Sequence, residues 1–192
     1  MKTPIRIALL DDHPAIRAGF EAIAAREVDL QVVGFAANET ELWPLLRQTN
    51  PHVLVLDVHH PGRGGLKLCL QIKSQPQAPA IVLYTAFVDD AVSVAAALAG
   101  AGALVSKSSA PAVLVDAIRA TARKPQTLLP VSRPIARQIA ARLDAADHAI
   151  LAMALAGNPP DEIGDTLRLP TSAVIGRIAT MMTRLEPIGS FG

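Results

Sequence analysis

The chain has 192 residues and a formal net charge of +1, and it is 51% apolar but only 3% aromatic. This length accommodates two modest domains, one of which, at about 120 residues, can bury a sizeable core. The longest run without a charged residue, 91–106, is shorter than the roughly 20 apolar residues of a membrane-spanning helix. The apolar stretch before Asp11 is also too short for a signal peptide, and the lone Cys69 fits a reducing compartment. We therefore expect a cytoplasmic protein with no membrane association.

The positive charge is concentrated in one short segment. Residues 121–142 contain five Lys and Arg and no acid, whereas residues 143–192 contain three Lys and Arg and six acids. Because proteins hold nucleic-acid phosphates with Lys and Arg, this segment is the main cationic feature available for DNA binding.

Over the first 120 residues, short aliphatic runs alternate with helical patterns. Strands are predicted at 5–10, 30–35, 53–56, 80–84 and 103–105, and helices near 13–26, 38–49, 65–74, 88–100 and 111–123. A strand-helix unit repeated five times indicates a doubly wound α/β domain whose parallel sheet is covered on both faces. Asn38 and Glu41 are spaced like a capping box, whereas Pro44 predicts a kink or a later start in the second helix.

A linker and a small all-α domain are predicted after this repeat. The linker contains three prolines and leads into a basic helical stretch at 135–143. Three further helices are predicted near 145–156, 160–167 and 171–185, separated by sequences rich in Gly and Pro. The predicted division is therefore a first domain at 1–121, a basic linker with its helix at 122–142, and a helical domain at 143–192.

Polar residues follow four of the five predicted strands. Asp11 and Asp12 follow the first, Asp57 ends the third, Thr85 follows the fourth and Lys107 follows the fifth. In an open parallel sheet, ligands bind beyond the carboxyl ends of the strands, where the strand order reverses. Three converging carboxylates repel one another unless a hard cation such as Mg²⁺ joins them. With that cation, Asp57 suits the role of a nucleophile toward a phosphoryl group, with Lys107 and Thr85 contacting its oxygens.

The first 120 residues resemble the receiver domain of two-component response regulators of the NarL/LuxR type. The matching motifs begin at Ile7 and end at Lys107; they read IALLDDHP, VLVLDV, LYTA and GAGALVSK. The resemblance implies a flavodoxin-like (βα)5 fold, phosphorylated on Asp57 by a histidine kinase or a small phosphodonor. It also implies Mg²⁺ held by Asp12, Asp57 and the backbone carbonyl of His59, with Asp11 acting through water.

Two departures from the receiver pattern bear on the predicted switch. Histidines occupy positions 59 and 60, and a side chain two residues beyond the phosphoacceptor can influence loss of the phosphate; both can equally be exposed loop residues. Leu104 replaces the aromatic residue that many receivers move inward together with the Thr. The usual relay from hydroxyl to aromatic ring therefore cannot operate in its ordinary form.

The apolar skeleton of 143–185 resembles the LuxR-type helix-turn-helix domain, which places its last helix in the major groove of DNA. The candidate DNA contacts on this helix are Ser172, Ile175, Gly176, Arg177 and Arg184. Only two of these residues are cations, so phosphate binding would also depend on the basic segment.

Two functions remain open on the sequence alone. The first is a transcription regulator that binds promoter DNA as a homodimer under control of phosphorylation. The second is a protein-interaction switch with a degenerate helix-turn-helix, in which Ile175, Met181 and Met182 form an apolar contact surface. We do not expect an enzyme, because His59 stands where phosphatases with an Asp nucleophile commonly carry a second acid.

Overall fold

A computed structural model describes residues 3–59, 64–123 and 131–185. Its first part contains five parallel strands in the order β2-β1-β3-β4-β5. The strands are β1 (Ile5–Leu10), β2 (Leu30–Ala36), β3 (Val53–Asp57), β4 (Ala80–Thr85) and β5 (Ala103–Ser106). Every residue of β3 and four residues of β1 are buried, as expected for central strands covered on both faces. The predicted doubly wound α/β fold is therefore confirmed.

Five helices cover this sheet and agree closely with the predicted positions. They are α1 (Pro14–Ala24), α2 (Glu39–Thr49), α3 (Gly65–Lys73), α4 (Asp90–Leu98) and α5 (Pro111–Arg123). Two apolar clusters lie on opposite faces of the sheet, since side chains that alternate along each strand point to opposite sides. Leu54 and Leu56 of β3 belong to one cluster, and Val53 and Val55 belong to the other.

Of the kink or later start predicted for α2 from Pro44, the later start is wrong. The helix begins at Glu39 and continues through Pro44, which costs it the hydrogen bond to the carbonyl of Thr40. Its first turn is stabilised by the Asn38 side chain, which accepts a hydrogen bond from the backbone N–H of Glu41 at 3.0 Å. The Glu41 carboxylate in turn accepts a hydrogen bond from the backbone N–H of Ala37 at 2.8 Å. The bond from Ala37 and a second one, donated by the side-chain amide of Asn38 at 2.8 Å, lower the pKa of Glu41, the bond from Ala37 contributing most.

The C-terminal part is helical, as predicted. It contains α6 (Arg133–Ala140), a 3₁₀ turn (Ala145–Asp147), α7 (His148–Leu155), α8 (Pro160–Leu167) and α9 (Thr171–Leu185). The division into a domain at 1–121, a linker at 122–142 and a domain at 143–192 stays a prediction. No helix within the described ranges is long and apolar enough to cross a bilayer.

The last helix packs against the first domain as well as against its own. Helix α9 contacts α3 and α4 of the first domain, and α7 and α8 of its own domain. Met181 and Met182 of α9 are both fully buried in an apolar cluster that also contains Ala95 and Leu98 of α4. The expectation of an exposed contact surface at these methionines is therefore wrong in this conformation, because the chain covers them itself.

Candidate functional site

The predicted site residues meet at one edge of the sheet. Strand order places β1 beside β3, which is where the chain reverses direction across the sheet and where such folds bind ligands. Asp11 follows β1, while Asp57 and Thr85 are the last residues of β3 and β4. Lys107 follows β5, and its backbone N–H donates to the carbonyl of Thr85 at 2.7 Å. The register of the parallel strands thus brings all four residues to the same edge.

Lys107 joins two buried carboxylates. Its ammonium Nζ donates to Asp11 Oδ2 and to Asp57 Oδ2, each at 2.7 Å. Asp11 is fully buried and Asp57 is 2% exposed, so an ionic partner is needed to offset their loss of hydration. Burial by itself disfavours the Lys107 ammonium, but the hydrogen bonds to Asp11 and Asp57 outweigh it and raise the pKa of Lys107. The lysine is therefore charged and fixed between the two acids.

The acidic cluster fits a divalent cation. Ligand atoms of Asp11, Asp12, His13 and Asp57 all lie within 4.8 Å of one another. Asp12 Oδ1 is buried and accepts no hydrogen bond from any described residue. His13 Nδ1 lies 3.0 Å from this atom and also 3.0 Å from Asp11 Oδ1. Three carboxylates face a single ammonium, which leaves two negative charges. A hard cation with a charge of two and a preference for oxygen ligands suits this donor set.

The residues on either side of positions 60–63 are held close to β3. The backbone N–H of His59 donates to Asp57 Oδ1 at 3.1 Å, and the N–H of Gly65 donates to the carbonyl of Val58 at 2.9 Å. A Cβ atom at Gly65 would lie 2.1 Å from the carbonyl oxygen of Asp57, so any side chain here would displace the backbone of the site. His60, the second histidine noted in the sequence, lies outside the described residues.

The Thr85 hydroxyl contacts two residues of the neighbouring loops. Its Oγ1 lies 3.1 Å from His59 Nδ1, and it also donates to the carbonyl of Phe87 at 3.2 Å. The backbone N–H of Phe87 lies 3.3 Å from the same oxygen and donates to it. Thr85 is fully buried, whereas the Phe87 side chain is 74% exposed. The hydroxyl predicted to contact the phosphoryl group is therefore already engaged.

The part of the chain that carries the site matches a known protein family. Residues 7–119 match the family model described as the response regulator receiver domain. The protein belongs to this family. The matched range contains Asp11, Asp57, Thr85 and Lys107, the residues that the structure brings together.

The similarity to known proteins extends over most of the chain. The transcriptional regulatory protein LiaR of Bacillus subtilis is 28% identical over 195 aligned positions, which cover 95% of this chain and 91% of LiaR. A crystal structure of a LuxR-family two-component response regulator from Aurantimonas shares 36% identity and a TM-score of 0.61, over 72% of this chain and 97% of the other. Salmonella enterica RcsB, solved bound to promoter rprA in the presence of phosphomimetic BeF3-, has a TM-score of 0.61 at 23% identity. That likeness covers 96% of this chain and 94% of RcsB, and it establishes the shared fold.

The candidate DNA contacts all lie on α9. Ser172 and Gly176 are exposed, and Ile175 is partly buried. The two cations are both paired within the C-terminal part. Arg177 Nε lies 3.3 Å from Asp147 Oδ1, and an Arg184 guanidinium nitrogen lies 2.9 Å from Asp144 Oδ2. The helix therefore presents little unpaired positive charge in this conformation.

Three residues near the receiver site were not singled out from the sequence. His13 contacts both acids of the doublet, Phe87 supplies two backbone groups to Thr85, and the ring of Tyr84 lies 5.8 Å from Lys107 Nζ. Burial raises the pKa of Tyr84, partly offset by the charge of Lys107. Adjacency to Asp12 and Thr85 was the only sequence signal for these residues, and it does not specify where their side chains point.

Proposed function

We propose that this response regulator is phosphorylated on Asp57 and that phosphorylation controls a C-terminal DNA-binding domain. The proposal rests on one observation: the Lys107 ammonium is held 2.7 Å from a carboxylate oxygen of both Asp11 and Asp57 at the switch point of the sheet. A fixed cation beside a buried carboxylate suits phosphoryl transfer, in which charge develops on the transferred oxygens.

In the proposed reaction a carboxylate oxygen of Asp57 attacks the phosphorus of a phosphohistidine on a histidine kinase or of a small phosphodonor. A new O–P bond forms, the bond between phosphorus and the donor breaks, and the donor leaves with the electron pair. Lys107 neutralises part of the charge on the phosphoryl oxygens, and Thr85 donates a hydrogen bond to one of them. Asp11, Asp12, Asp57 and the carbonyl of His59 would hold Mg²⁺, which supplies further charge neutralisation.

The output is proposed to depend on release of α9. In the structure α9 packs against α3 and α4, and Met181 and Met182 have no exposed surface. Ser172 and Gly176 lie on an exposed face of the same helix, and this packing fixes where that face points relative to the receiver domain. Phosphorylation would favour a conformation in which the contact with α4 is broken, and a homodimer of the released domain would then bind promoter DNA.

Intact-mass measurement tests the phosphoacceptor. Wild type incubated with acetyl phosphate and Mg²⁺ is expected to gain a single phosphoryl group, and Asp57→Asn none. Equal labelling of both proteins would exclude Asp57 as the acceptor. An Asp116→Asn variant, which removes an exposed carboxylate on α5, is the matched control and is expected to be labelled like wild type.

A salt series tests the DNA part. Each phosphate contact changes the slope of log K against log[salt] by about 0.9, so replacing Arg133 and Arg137 by Ala should flatten it by up to about two units. Asp144→Asn removes the partner of Arg184 and is expected to raise DNA affinity if this arginine contacts phosphate. Absence of binding by phosphorylated wild type at low salt would refute the DNA-binding proposal.

A second candidate function is a protein-interaction switch that uses the same receiver. The pairing of Arg177 with Asp147 and of Arg184 with Asp144 favours it, because each arginine of α9 must leave its carboxylate before it can bind a phosphate. Phosphorylation that releases α9 without any DNA affinity is the result expected from this function.

A further inference from the structure

The single proton of the Thr85 hydroxyl is already used in the structure. A hydroxyl has one proton and two lone pairs. When it donates its proton to the Phe87 carbonyl, it accepts from the Phe87 N–H and from Nδ1–H of His59. When it donates to His59 instead, the bond to the Phe87 carbonyl is lost. In either arrangement, Thr85 must give up a contact with His59 or Phe87 before it can donate to a phosphoryl oxygen.

His59 and Phe87 are also in direct contact. Their rings meet edge to face, with centroids 6.0 Å apart and planes inclined by 83°. Such T-shaped pairs are attractive because the positive edge of one ring faces the negative face of the other. The three residues therefore form a closed set, in which each contacts the other two. We call this set the Thr85 triad.

One member of the Thr85 triad, Phe87, lies just before α4 in the chain. Phe87 precedes Asp89, the N-cap residue, whose side chain accepts a hydrogen bond from the backbone N–H of Val92 at 2.7 Å. Helix α4 in turn packs against α9. By contrast, position 104, where many receivers carry the aromatic partner of the Thr, holds Leu104, which has no ring and no polar group to exchange.

We propose that the Thr85 triad replaces the missing aromatic relay, with His59 as the residue that positions the Thr85 hydroxyl in the resting state. The inference rests on the proposed function, because it needs a phosphoryl group on Asp57 to compete for that hydroxyl. When Thr85 donates its proton to the phosphoryl oxygen, the bond that this proton made to the Phe87 carbonyl or to His59 is lost. The loop that begins α4 is then held less firmly, and the packing of α4 on α9 weakens.

Amide hydrogen exchange in the full-length protein, without phosphodonor, tests the resting state. The Phe87 amide is the direct reporter, since it donates to Thr85 Oγ1. A hydrogen bond of ordinary net strength corresponds to a roughly 2- to 10-fold change in an equilibrium. His59→Ala is therefore expected to raise exchange at Phe87 and in the first turn of α4 by about that factor.

Double mutants and conservative variants separate positioning from general destabilisation. Thr85→Val should raise exchange at the same amides, and the double variant should add little, because both changes remove one shared hydrogen bond. His59→Asn restores an N–H donor and should recover part of the protection, whereas Phe87→Ala should loosen α4 without affecting metal binding. His52→Ala is the control, since His52 accepts a hydrogen bond from the Arg6 N–H before β3, at the opposite end of the sheet.

The outcomes are distinct. Unchanged exchange at Phe87 in His59→Ala, or fully additive effects of His59→Ala and Thr85→Val, would overturn the relay. In wild type treated with acetyl phosphate and Mg²⁺, exchange should rise in α4 and α9, and this increment should be smaller in His59→Ala. Absence of labelling on Asp57 in wild type would overturn the proposed function, while the resting-state comparison would still decide the role of His59.

Discussion

Replacing Gly65 by Ala should distort the backbone around Asp57 directly. The added Cβ would lie 2.1 Å from the carbonyl oxygen of Asp57 and 2.7 Å from Cα of Val58, so these backbone atoms must move. Overpacking of this kind costs about 1 to 3 kcal/mol, and backbone neighbours place it at the upper end. Ala is a better helix former by up to about 1 kcal/mol. The expected net loss in the free energy of unfolding is about 2 kcal/mol.

Urea denaturation in EDTA, followed by circular dichroism, measures this loss. With a slope of about 2 kcal/mol per molar urea, the midpoint for Gly65→Ala should fall by about 1 M. Gly19→Ala is the matched control, because its Cβ in the middle of α1 would meet nothing within 4 Å. Its midpoint should rise by about 0.5 M, from a propensity gain of about 1 kcal/mol. A Gly65→Ala protein as stable as wild type, and phosphorylated as fast, would refute the close-approach argument.

Three further predictions concern metal, pH and helix propensity. Asp12→Ala should abolish Mg²⁺ binding in calorimetry, whereas Thr85→Ala should retain it; unchanged affinity in Asp12→Ala would contradict the ligand set. The hydrogen bond from Arg119 lowers the pKa of Asp29. The pair therefore contributes stability that is fully present above the ordinary Asp pKa, and this contribution is lost as the pH falls through the lowered pKa. The stability difference between wild type and Arg119→Met should therefore shrink with acidification, and a constant difference would argue against the pair. Gly176→Ala should raise the free energy of unfolding by about 1 kcal/mol, since its Cβ would enter open space; thermal denaturation showing a loss would contradict this.

Much of the receiver fold is readable from local sequence. Aliphatic runs of four to seven residues alternate with helical periods, and the right-handed crossover between parallel strands leaves only a few possible topologies. The Asn38 cap was also predictable, because its bonds span three residues. The same cap explains why α2 does not start later than Glu39, since capping and the packing of Leu42 outweigh the cost of Pro44.

The site residues were predictable as a group but their contacts were not. Asp11, Asp57, Thr85 and Lys107 each stand at a strand end, and parallel strands end at one edge. That Lys107 bridges Asp11 and Asp57 depends on side-chain positions 96 and 50 residues apart in the chain.

By itself, the sequence determined the α/β repeat, the helical C-terminal part and the acidic edge of the sheet, because each follows from local periodicity or from the position of a residue at a strand end. Only the tertiary structure decided that His59 contacts Thr85 across 26 residues and that Arg184 pairs with Asp144 across 40. It also decided that Met181 and Met182 are buried in the cluster that includes α4 rather than left for a partner. The physical reason is that an apolar helix face specifies burial without specifying what covers it, and a polar side chain specifies a bond without specifying its partner.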